Sequence, residues 1–150
     1  MLEDNLNFNS LALAKEQLEV SIELFLSERS YAAALTLAGA AEEIFGVECR
    51  NKGLEPFNDW MFNNTEILFK YIYGKEKTKK LYYQDQNAVR NALKHLNAKN
   101  STKKPVNFQD ATCWMIVRAD YNAELLKIHI LGRDDFNDWF FENIVGEDYA

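Results

Sequence analysis

Apolar residues recur at steps of three and four along nearly the whole chain, and this spacing restricts the possible folds more than any other feature. Leu11, Ala14, Leu18, Ile22 and Phe25 set the pattern, predicting a first helix from about Phe8 to Glu28. Only 2 prolines and 6 glycines punctuate the 150 residues, so the elements are long and the turns few. Ser30 suits the N-cap of a second helix through SYAAALTLAGAAEEIFGVECR, ending near Gly53. Its alanines and glycines let a neighbouring helix approach closely. Pro56 fits the first turn of a third helix through DWMFNNTEILFKYIY, with Gly74 as its stop. A fourth helix is expected over roughly Lys77 to Ala98, followed by a polar loop, KNSTKKP. Asn107, with Asp110 three residues on, opens a fifth helix, QDATCWMIVRADYNAELLKIHIL, which Gly132 ends. A short last helix places Phe136, Trp139, Phe140 and Ile144 on one face. No strand-type alternation competes, and no repeat or linker divides the chain. The expected fold is all-α, one domain over residues 1–150, an antiparallel bundle of about five to six helices.

Hydrophobic residues make up 47% of the chain, enough for a packed core and too many for a disordered one. Apolar runs are only a few residues long, far short of a membrane span, so no membrane association is expected. Glu3 and Asp4 stand where a signal peptide would carry Lys or Arg. Cys49 and Cys113 match neither a disulfide framework nor a metal-ligand spacing and read as reduced thiols, which points to a cytoplasmic protein. The net charge of −6 conceals an asymmetry. Nine basic residues, Lys75, Lys77, Lys79, Lys80, Arg90, Lys94, Lys99, Lys103 and Lys104, face only Glu76 and Asp85 between positions 75 and 104, a local charge of +7. Such a segment attracts anions whatever the sign of the whole chain; it is equally what a solvated Lys-rich turn looks like.

Several chemistries lack their residues. There is no Glu-x-x-His or His-Glu-x-x-His pair for a metal and no glycine-rich phosphate loop, so neither a metal nor a cofactor is expected. Cys113 lies among apolar residues and reads as buried. His129, between isoleucines in KIHIL, reads as a packing residue. His95 differs, because it lies in the basic helix within Asn87-Ala88-Val89-Arg90-Asn91-Ala92-Leu93-Lys94-His95. Wound at 100° per residue, Leu81, Ala88, Val89, Ala92, Leu93 and Leu96 gather toward the core. Asn87, Arg90, Asn91, Lys94 and His95 take the opposite arc. Arg and Lys neutralise phosphate charge, an imidazole moves a proton near neutral pH, and an amide orients the reacting group. That set is what phosphate chemistry without a metal requires.

The string RNALKH resembles the Arg-x4–6-His motif of the HEPN superfamily, small helical domains that often act as ribonucleases. It has the arginine (Arg90), the polar residue directly after it (Asn91) and the histidine four residues beyond that (His95). The second helix, SYAAALTLAGAAEEIFG, and the segment MIVRADYN are similar to an uncharacterised bacterial branch of the same superfamily, so the resemblance runs from the second helix through the fifth. It implies a HEPN-like bundle that forms a homodimer, with two copies of the motif meeting across the two-fold axis. It also implies metal-independent cleavage of RNA by attack of the ribose 2′-OH on the adjacent phosphate. A toxin or defence role, and an antitoxin or nucleotidyltransferase-like partner, follow from the resemblance alone.

A geometric argument for the dimer stands apart from the resemblance. Side chains five positions apart diverge by about 140° around a helix, so Arg90 and His95 of one chain aim poorly at one phosphate. A symmetric pair brings Arg90 of one protomer to His95 of the other. In this scheme His95 transfers the proton, Arg90 stabilises the pentacovalent phosphate, and Asn91 positions His95 or the 2′-OH. Lys94 and Asn87 contact the substrate, and Tyr83, on the arc of Arg90, either stacks on a base or lies at the dimer contact. Glu42 falls inside an apolar stripe with Tyr31, Leu35, Ala38 and Cys49, so its carboxylate needs a partner. Either it supports Arg90 or His95, or it forms an ion pair with no catalytic duty.

Two further readings compete with the nuclease. In one the basic face belongs to a non-catalytic module that binds RNA, a nucleotide or an acidic protein. In the other the protein is a helical interaction subunit that docks through Trp139, Phe140 and Phe141, which cannot all face one core. The second reading predicts that truncation after Gly132 abolishes assembly and leaves the fold intact.

Overall fold

The structure is a computed structural model that describes residues 9–73, 87–90 and 107–146. These residues are helical with short turns and contain no strand. Helix α1 spans Ser10–Leu26, α2 Tyr31–Asn51 and α3 Phe57–Tyr73; α4 is described over residues 87–90. Helix α5 spans Phe108–Leu125 and α6 Arg133–Phe140, which continues into a π-helical turn at Phe141–Val145.

Local signals set the helix starts. Asn9 Oδ1 accepts hydrogen bonds from the Leu11 and Ala12 N–H groups at 3.0 and 3.4 Å, Ser30 Oγ from Ala33 at 3.2 Å, and Asn107 Oδ1 from Asp110 at 3.0 Å. Each satisfies an N–H that the first helical turn leaves without an intrahelical acceptor. Pro56 directly precedes α3 and its carbonyl accepts from Trp60 N–H at 3.0 Å. The proposed stop at Gly74, the limits of α4 and the KNSTKKP loop lie outside the described residues.

The fifth helix is shorter than the sequence predicts. It ends at Leu125, and Lys127 adopts a left-handed φ of 58°. Residues 128–130 leave the helix, so alternate side chains point to opposite sides. Ile130 enters the core at 1% exposure and Ile128 packs against it, which turns His129 outward. The expected packing histidine is an exposed one. The Leu131 N–H donates to Glu19 Oε2 at 2.7 Å, tying this turn to α1. Burial pushes the Glu19 carboxyl up, but Lys15 and the Leu131 N–H hold it below the usual carboxylate range. Gly132 therefore opens α6 instead of closing α5. Its φ is 86°, and a Cβ there would sit 3.0 Å from Ile22 Cγ2.

The core forms where α2 is covered on two sides. Ala34, Ala38, Gly39 and Ala41 are buried, and these small side chains admit α1 and α5 at close range. Leu18, Ile22 and Phe25 of α1, Leu35 and Phe45 of α2, and Ile116 of α5 fill the centre. Ser21 Oγ donates to the Ala34 carbonyl at 2.7 Å, so the small polar group on the α1 face is satisfied. Helices α1 and α2 are antiparallel: Phe25 packs on Tyr31 at one end, and Leu11 shares a groove with Ile44 and Val47 at the other. Helices α2 and α5 run in the same direction. Thr112 Oγ1 donates to the Tyr31 carbonyl at 2.9 Å near their N-termini, and Cys49 Sγ to the Asn122 carbonyl at 3.5 Å near their C-termini.

Helix α6 belongs to this core. Phe136 is 2% exposed and contacts Phe25 with ring centroids 5.6 Å apart, while Trp139 meets Phe25 edge-on at 4.7 Å. Phe141, by contrast, is 63% exposed. Arg133 fastens α6 to α5: its Nε donates to Asp120 Oδ1 at 2.7 Å and its Nη2 to the Ile128 carbonyl at 3.2 Å. Burial pushes the Asp120 carboxyl up despite this guanidinium.

Candidate functional site

A polar seam joins α2, α4 and α5, and four charged side chains build it. Glu42 and Glu43 follow one another on α2; Arg118 projects from the middle of α5; Arg90 comes from α4. Arg118 is 3% exposed in an otherwise apolar stretch of helix. Its Nη2 lies 3.3 Å from Glu42 Oε1 and donates to Asn87 Oδ1 at 2.9 Å. A guanidinium buried this deeply needs such acceptors, and Arg118 thereby binds α4 to α2 and α5. Glu42 does form an ion pair, with Arg118 as its partner, while His95 lies outside the described residues.

Arg90 pairs with Glu43, Nη2 to Oε2 at 3.0 Å, with 14% of its side chain exposed. Its approach depends on Gly39. A Cβ at position 39 would lie 2.4 Å from Arg90 Nε and 2.5 Å from Cδ, closer than atoms can stand. The missing side chain is the space through which Arg90 crosses α2.

This geometry revises the predicted faces of the fourth helix. Asn87 and Arg90, assigned to the outer arc, turn toward the seam, whereas Ala88, assigned to the core, is exposed. Val89 packs against the core as expected. The reason lies on the neighbouring helices: they supply a carboxylate, a buried guanidinium and a glycine gap that make the inner side polar. Periodicity on α4 alone contains none of that. Asn91, Lys94, His95 and Tyr83 lie outside the described residues.

Beside the seam an open cavity of about 190 Å3 has Leu35, Val89 and Ala111 on its apolar wall. Arg90, Arg118, Asp110 and Trp114 also line it. Trp114 is 43% exposed, its ring fixed edge-on against Phe140 at 5.6 Å. The cavity thus combines two guanidinium groups, one carboxylate and one aromatic surface. Sequence reasoning passed over Arg118, Asp110 and Trp114. Arg118 had a signal, a lone charge within Met115-Ile116-Val117-Arg118-Ala119, complementary to the lone carboxylate of Glu42 in its own apolar stripe.

Neither thiol is placed for nucleophilic work. Burial pushes the Cys113 thiol up to about 12, with the charge of Asp110 adding to it, and burial raises Cys49 as well. Among the described residues no group of three His, Cys, Asp or Glu side chains is close enough to hold a metal ion, and no helix is long and apolar enough to cross a membrane. In comparisons with known proteins, the chain matches no family model, no curated protein and no solved structure.

Proposed function

We propose that this chain is a metal-independent endoribonuclease of HEPN type that acts as a homodimer. The observation that carries the reading is the cavity shared by Arg90, Arg118 and Trp114. It joins the arginine of the RNALKH string to a second guanidinium and a partly exposed indole. Guanidinium groups hold phosphate, and an aromatic face stacks an unpaired base. His95, five residues beyond Arg90, supplies the proton transfer. It takes the proton from a ribose 2′-OH, the 2′-oxygen attacks the adjacent phosphorus, and the bond to the 5′-oxygen breaks as that oxygen gains a proton. The products are a 2′,3′-cyclic phosphate and a 5′-hydroxyl. Arg90 stabilises the charge of the pentacovalent phosphate, Asn91 orients the reacting group, and Lys94 holds the flanking backbone. A toxin or defence role, held in check by an antitoxin or nucleotidyltransferase-like partner, belongs to the same proposal.

The test is cleavage of a mixed-sequence RNA by purified protein in excess chelator. Arg90→Ala and His95→Ala are each expected to lower the rate by about 100-fold or more. Retention of cleavage in both variants removes these roles.

A second reading draws on the Arg90–Glu43 pair. A guanidinium already fixed by a carboxylate suits recognition without chemistry, as in a module that binds RNA, a nucleotide or an acidic protein. Binding that weakens steeply with salt, with no product formed, favours the module.

A further inference from the structure

The cavity beside the seam has a chemistry more selective than phosphate binding requires. Asp110 places a carboxylate in it, a group that repels phosphate and ordinarily has no place in a simple anion site. Asp110 is exposed in the first turn of α5 and makes no hydrogen bond or ion pair through its side chain with any described residue, so both oxygens are open to donors from a ligand. We infer that this cavity is a guanine-selective base pocket, built around Asp110 and Trp114. The inference rests on the reading of the chain as a protein that acts on RNA, and it deepens that reading by naming the base.

Complementarity decides among the bases. An ionised carboxylate only accepts, and its two oxygens are matched by two adjacent donors. Guanine presents such a pair, N1–H and the 2-amino group. Adenine and cytosine each set one amino donor beside a ring-nitrogen acceptor, which would face the second carboxylate oxygen and repel it. Uracil offers one N–H between two carbonyls. Arg90, which also lines the cavity and is held by Glu43, stays with the phosphate. The Trp114 indole gives a stacking surface, and Leu35, Val89 and Ala111 form an apolar wall beside it. The volume of about 190 Å3 is below the range of pockets that enclose whole drug-sized ligands, and it suits one planar base.

The experiment titrates the purified protein with GMP, IMP, AMP, CMP and UMP by calorimetry. GMP is expected to bind about tenfold or more tightly than AMP, CMP and UMP. IMP lacks the 2-amino group and is expected to bind more weakly than GMP to the wild-type protein. In Asp110→Asn the GMP and IMP affinities should converge, because the acceptor for that amino group is altered. Circular dichroism confirms that the variant is folded, and Trp114→Ala should weaken all five ligands together. Equal binding of the five nucleotides, or an undiminished gap between GMP and IMP in Asp110→Asn, overturns the inference. Cleavage mapping separates the two proposals. RNA cut without preference for guanine defeats the pocket and leaves the nuclease standing. Selective GMP binding without cleavage supports the pocket and defeats the nuclease.

Discussion

At the scale of single residues, Arg118 and Glu42 form a nearly buried ion pair. Their side chains are 4% and 12% exposed. Removing one partner of such a pair leaves the other charge buried, which costs about 3–5 kcal/mol. Glu42→Ala is therefore expected to lower the unfolding free energy by that amount in urea titration. The apolar double variant Glu42→Leu with Arg118→Met should recover most of it, since two well-packed apolar side chains leave no charge to desolvate. Gly39 offers a contrasting test. Gly39→Ala replaces a mid-helix glycine and gains about 1 kcal/mol of helix propensity, yet its methyl occupies the position of the Arg90 side chain. The unfolding midpoint should hold or rise while the RNA cleavage we propose for this chain falls at least about tenfold, because Arg90 is displaced from Glu43. A fall in stability with unchanged cleavage would show that Arg90 has no part in the reaction. The candidate site was only half legible in the sequence. A motif on one helix names Arg90, but which way Arg90 points depends on a glycine and a carboxylate 51 and 47 positions away on another.

At the scale of elements, helix beginnings were legible and one helix end was not. Asn9, Ser30 and Asn107 act through hydrogen bonds within three residues, so sequence alone contains the cause. Helix α5 stops without glycine or proline, at a lysine in a left-handed turn. Its cause is tertiary: Ile130 reaches the core and Glu19 captures the Leu131 N–H. On helix α6 Phe136, Trp139 and Phe140 share the packed face as read, whereas Ile144 lies beyond it in the π-helical turn and is exposed. Phe136, at 2% exposure, is a core residue, and Phe136→Ala is expected to cost about 3–5 kcal/mol by thermal or denaturant unfolding. Truncation after Gly132 removes the same ring, so it should destabilise the whole domain. It therefore does not test an interaction subunit cleanly; substitution of the exposed Phe141 does.

At the scale of the whole molecule, the all-helical class was evident from periodicity and from the scarcity of proline and glycine. The common direction of α2 and α5 was not, because nothing local records how α3 and α4 return the chain. Global stability can be read through the thiols. Cys49 and Cys113 are both buried, and Cys113 is pushed up to about 12. Neither should react with an aromatic disulfide reagent at pH 8 in the native state, except at the rate of opening. Both should react at once in concentrated denaturant, and fast labelling of the native protein would contradict their burial.

The hydrogen bonds between α2 and α5 join residues 73 to 81 positions apart. A helical protein of this size built only from neighbouring hairpins would assemble from nearby contacts and do so quickly. Here the second side of α2 stays uncovered until a late stretch of the polypeptide has been synthesised, which makes collapse slower and leaves an adhesive alanine-lined surface on the nascent chain. Once made, the first fifty residues wait for α5, which ends at Leu125, before that surface is covered.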